Sequence, residues 1–112
     1  MAWVDAEEGK DLDVALGMAQ KAISLMPDVP GVSDTLAWVM YKKGNYGGAI
    51  PLLEACVKKV PDSAQFRYHL GMALMASGQK SRGKTELQAA LQTNQLTTSD
   101  LAQAKRALEQ SN

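Results

Sequence analysis

The feature that most constrains this chain is that it matches itself when shifted by 34 residues. Leu36 falls on Leu70, Ala37 on Gly71, Gly44 on Gly78, Ala49 on Gly83, Leu53 on Leu87 and Cys56 on Ala90, each keeping its size class. In the other direction Pro61 falls on Pro27, Asp62 on Asp28, Ala49 on Ala15 and Cys56 on Ala22. Ala37-Trp38-Val39 recurs as Ala2-Trp3-Val4, and Gly44 as Gly9, at a shift of 35, with one extra residue between Gly9 and Ala15. A fixed period of roughly 20 to 50 residues means stacked units, each burying against its neighbours an apolar face it cannot bury alone.

Within each unit the apolar residues recur at three- and four-residue steps. Leu12, Ala15, Leu16, Ala19, Ala22, Ile23 and Met26 form one such stripe; Leu36, Val39 and Met40, then Ile50, Leu53, Val57 and Val60, form others. That spacing places them on single helix faces. Pro27, Pro30 and Pro61 fall just past helix ends, and Gly9, Gly44 and Gly78 at the turns. The pattern predicts helices over about 2–8, 11–26, 32–43, 47–60, 63–77, 80–93 and 98–110, seven in all and no strand, to within about two to four residues. Gly47, Gly48 and Pro51 weaken the start of the fourth and predict a distorted first turn there.

A 34-residue helix-turn-helix unit with a Leu-Gly/Ala pair, a turn glycine, two small residues on the second helix and a closing proline resembles the tetratricopeptide repeat. Leu36-Ala37, Gly44, Ala49, Cys56 and Pro61 carry the resemblance in one unit, and Leu70-Gly71, Gly78, Gly83 and Ala90 in the next. It implies an all-α, right-handed superhelical α-solenoid of such repeats with a C-terminal capping helix. The units are a truncated first repeat at 1–29, a second at 30–63, a third at 64–94, and a cap at 95–112. In the third unit Gln95 stands where the proline would be, which suits a terminal unit whose last helix Thr98 or Ser99 caps. If Trp3 corresponds to Trp38, the chain begins in mid-helix, as expected of the C-terminal part of a longer array.

Charge and composition remove several functions. Twelve Lys and Arg balance twelve Asp and Glu, and the pI is about 6.6, so the basic footprint of a general nucleic-acid binder is missing. No apolar run approaches the roughly 18 residues that span a bilayer, so no direct membrane insertion is expected. With one cysteine, Cys56, there is neither an internal disulfide nor a thiolate cluster. The balance is uneven along the chain: residues 1–34 hold seven acids against two bases, and the remainder five acids against ten bases. Such asymmetry suits end-to-end neighbours or an acidic partner, or is simply solvated charge on surface helices.

Four features imitate chemistry. Gly78-Gln79-Lys80-Ser81-Arg82-Gly83-Lys84-Thr85 satisfies the P-loop pattern, with Met72-Ala73-Leu74-Met75 in the place of the feeding strand. Yet Gly78 and Gly83 are already explained by their register with Gly44 and Ala49, and nucleotide binding through 78–85 is the weakest of the alternatives. His69 is the only histidine, and its neighbours Tyr68 and Leu70 offer no ligand, so it reads as a structural imidazole. Cys56, in register with Ala22 and Ala90, reads as a buried inert thiol. The Asp11 and Asp13 pair lacks the glycine and closing glutamate of a calcium loop. No catalytic residue, cofactor or metal site is expected, and the chain reads as a non-enzymatic interaction module.

What remains is a surface. In the family the first helix of each unit lines a concave face, and its ligand-facing positions carry over onto Trp3, onto Asp34, Trp38, Tyr41 and Lys42, and onto Gln65, Tyr68, His69, Met72 and Met75. Aromatic and methionine side chains are favoured anchors for a protein or peptide partner. Trp3, Trp38 and Met72 also align across units, so they can equally stack as core, and the pattern leaves both readings open. Members that clamp an acidic C-terminal tail present Lys, Asn and Arg where this chain has Trp3, Thr35, Gln65 and His69, which argues against that partner. A homodimer through the N-terminal face, where Trp3 and Val4 lie, is the second reading. The runs 34–44 and 68–71 also resemble the last repeats of long bacterial proteins of exopolysaccharide export and protein sorting, which implies a bacterial setting, cytoplasmic or, if the chain is part of a longer lipoprotein, envelope-associated on the periplasmic side.

Overall fold

A computed structural model describes residues 12–26 and 28–110. Six helices make up this part: α1 Leu12–Leu25, α2 Pro30–Lys42, α3 Tyr46–Lys59, α4 Ala64–Ala76, α5 Lys80–Gln92 and α6 Thr98–Gln110. No strand occurs among the described residues. The seventh expected helix, over 2–8, lies outside them.

Several boundaries follow from local chemistry, and three features at the helix ends differ from the sequence expectation. Pro30 opens α2 at its first position and does not stand past the end of α1, because its fixed φ and missing N–H cost nothing there. α3 starts with a regular turn: Asn45 Oδ1 accepts from Gly48 N–H at 3.0 Å, and Asn45 C=O accepts from Ala49 N–H at 3.1 Å. That cap compensates the glycine pair, and Pro51 is carried inside the helix. α6 is capped by Thr97, one residue before the two candidates, its Oγ1 accepting from Asp100 N–H at 3.1 Å.

The connections α2–α3 and α4–α5 turn on Gly44 and Gly78, whose φ of +85° and +92° lie in the left-handed region. At the equivalent place after α5, Asn94 takes φ 58°, the residue other than glycine that best tolerates it.

Consecutive helices pack on one another, and α2 also meets α4, as a solenoid requires. One core cluster joins α2, α3 and α4 through Ala37, Ala49, Ile50, Leu53, Leu70, Ala73 and Leu74. A second joins α2, α4, α5 and α6 through Trp38, Ala64, Tyr68, Leu87, Ala90 and Ala104. The small residues sit where helices cross closely. A Cβ built on Gly71 would meet Leu87 Cγ at 2.7 Å, and one on Gly83 would meet Met75 Cγ at 2.7 Å, with each glycine's carbonyl about as close to the other's Cβ. The P-loop look-alike is thereby accounted for: 72–75 is helix, Gly78 is a turn, and Gly83 is buried inside α5 against α4.

Candidate partner-binding site

α2 and α4 lie side by side as the first helices of successive pairs, and the N-terminal turn of α6 closes one wall against them. Between them is a cavity of about 480 Å³. α2 contributes Asp34, Thr35, Trp38, Val39 and Lys42; α4 contributes Gln65, Tyr68 and His69; Thr97, Ser99, Asp100 and Gln103 come from α6 and the residue before it.

Six of the residues the family resemblance pointed to therefore converge: Asp34, Trp38, Lys42, Gln65, Tyr68 and His69. Tyr41 stands behind them, its ring stacked on Trp38 at 4.5 Å between centroids and 6° between planes. Met72 and Met75 do not reach the cavity. Met72 packs beside α6, and Met75 fills the space against Gly83. Trp3 lies outside the described residues.

Trp38 is both wall and core. It is 6% exposed, stacks on His69 at 4.0 Å as well as on Tyr41, and lies 5.9 Å from Tyr68. The Lys42 ammonium sits over its ring, 5.5 Å from the centroid. Its indole Nε1 is buried and has no hydrogen-bond partner among the described residues.

Beneath this stack is a buried polar pair that the sequence did not announce. His69 Nδ1 and Asp34 Oδ1 are 2.7 Å apart, and Asp34 Oδ2 accepts from Gln65 Nε2 at 3.2 Å. A carboxylate offers only lone pairs, so the imidazole Nδ1–H is the donor. Both side chains are almost wholly buried, and each satisfies the other, as buried polar groups must. The signal was the period itself: residues 34 and 69 are one repeat and one residue apart, which brings them onto facing sides of neighbouring first helices.

Tyr68 donates its hydroxyl to Gln103 Oε1 at 3.2 Å and so ties α4 to α6. Burial, then the nearby Asp100 carboxylate, raises the Tyr68 hydroxyl well above the ordinary tyrosine range. The α6 residues were the part sequence reasoning missed, because a capping helix was read only for the core it covers. Among the described residues no cluster of three or more His, Cys, Asp or Glu side chains is placed to hold a metal ion, and no helix is long and apolar enough to cross a membrane.

The sequence model of the tetratricopeptide repeat matches residues 40–109. The chain belongs to the tetratricopeptide repeat family. No curated protein matches it. Repeats of this family are non-enzymatic and mediate protein–protein interaction, so the cavity on the α2–α4 face is the candidate partner site.

Proposed function

We propose that this domain is a non-enzymatic tetratricopeptide repeat scaffold that binds a segment of a partner protein on the α2–α4 face, within the repeats at 1–94 and against the cap at 95–112. The observation that carries the reading is the cavity itself. It is an aromatic wall held rigid by stacking and by the Asp34–His69 pair, with polar groups from a third element converging on it. A preformed wall loses little entropy on binding, which favours docking of an extended or helical segment.

A photo-crosslinking side chain at Gln65 or Gln103 tests this in cells expressing the protein. The expected result is a discrete adduct with one partner, absent when the crosslinker stands at Gln88 on the exposed side of α5. Equal adducts from all three sites would sink the proposal.

Self-association is kept as a second reading because Val14, Met18 and Leu25, spaced to share one face of α1, are 57%, 53% and 72% exposed. Light scattering over a concentration series, with Met18→Asp as the control, distinguishes it: a dimer that the variant abolishes supports this reading, and a monomer at all concentrations removes it.

A further inference from the structure

We infer that the cavity selects its partner by a basic side chain, an arginine or lysine seated in the acceptor-rich corner made by Asp100, the Tyr68 hydroxyl and Gln103. This rests on the reading of the α2–α4 face as the partner site and adds the chemistry of what is recognised there.

Charge gives the first argument. The lining holds two carboxylates, Asp34 and Asp100, against one ammonium, Lys42. The two carboxylates have different parts. Asp34 is 3% exposed and spends both oxygens on His69 and Gln65, so it contributes field and no contact. Asp100 is only partly buried, and its backbone N–H, not its carboxylate, is engaged by the Thr97 cap.

The second argument is the donor and acceptor inventory. Tyr68 uses its proton on Gln103, which leaves the phenolic oxygen as an acceptor, while the Thr97 hydroxyl, which already accepts from Asp100 N–H, and the Ser99 hydroxyl can each donate or accept. A guanidinium, with five donors and no acceptor, matches such a corner, and a carboxylate would meet repulsion from Asp100. The chain's own Lys42 already places its ammonium over the Trp38 ring in this cavity, so cations are accommodated at its aromatic wall. The volume of about 480 Å³ admits a long side chain together with the backbone on either side of it.

The test uses the full chain, labelled with ¹⁵N, titrated with three capped probes: N-acetyl-arginine N-methylamide, the norleucine analogue and the glutamate analogue. The arginine probe is expected to shift the Trp38, Tyr68 and Asp100 amides saturably, at least tenfold more tightly than the glutamate probe, and to weaken with added salt. Asp100→Asn, which keeps the cap N–H, is expected to weaken the arginine probe about tenfold while leaving the melting temperature within a few degrees. Tyr68→Phe, which also removes the Gln103 bond, reports whether the phenol oxygen is needed. Equal or tighter binding of the norleucine or glutamate probe, or no saturable shift at these residues, overturns the inference. The groove reading is judged separately by the crosslinks from Gln65 and Gln103, which do not depend on charge.

Discussion

Gly71 and Gly83 lie where α4 and α5 approach closely, and their contacts decide what substitution there does. A methyl at residue 71 would press on Leu87, which is fully buried, and lie 3.1 Å from the Gly83 carbonyl, so neither neighbour can yield. Gly71→Ala is expected to cost about 1–3 kcal/mol and to lower the melting temperature. Gly17 meets nothing within 4 Å and sits exposed inside α1, so Gly17→Ala is expected to stabilise by about 0.5–1 kcal/mol. Thermal melts of the two variants check the contrast.

Cys56 shows the same dependence on surroundings. Its thiol is buried, donates to the Pro30 carbonyl at 3.3 Å, and is pushed up to about 11 by burial first and the Asp34 charge second, against Lys59. The folded state thus favours the neutral thiol. Its contribution is complete below the ordinary value of 9.0 and is lost as pH rises through about 11. Wild type minus Cys56→Ala, followed by denaturant unfolding between pH 8 and 11, is expected to show that decline. Native Cys56 is also expected to resist thiol reagents near neutral pH.

At the scale of elements, α3 is held by devices that its sequence partly hides. Gly47, Gly48 and Pro51 argue for a poor start, yet Asn45 supplies the cap that organises the first turn. Pro51 still removes the N–H that would bond to the Gly47 carbonyl. Pro51→Ala, at an exposed site, is therefore expected to raise stability by about 1–3 kcal/mol, measured by circular dichroism melts; an unchanged or lower midpoint would show that the proline is accommodated without cost. Periodicity made the middle of every described helix legible. The ends were less so because capping depends on which hydroxyl or amide reaches the free N–H groups, as Thr97 does in place of Thr98 or Ser99.

Across the whole molecule, each helix touches mainly its neighbours, so stability is a chain of local interfaces. Damage at one end should spread weakly. Ala104 is fully buried where α6 meets α4 and α5. Ala104→Asp is expected to release α6, speed hydrogen exchange in α6 and α5, and leave α2–α3 protection nearly unchanged. Cooperative loss across all helices would contradict the one-dimensional picture.

The sequence by itself determined the repeat, its all-helical units and the positions of the close-packed small residues, because the 34-residue period and the three- and four-residue spacing are properties of the chain alone. The family resemblance that those motifs carry also pointed to six of the residues around the cavity. Only the tertiary structure decided that Trp38 is wall and core together, that Asp34 and His69 form a pair, that Met75 serves the α4–α5 interface, and that α6 closes the cavity with Asp100 and Gln103. These depend on how helices lie across one another, and a repeat period fixes which residues share a face without fixing what that face meets.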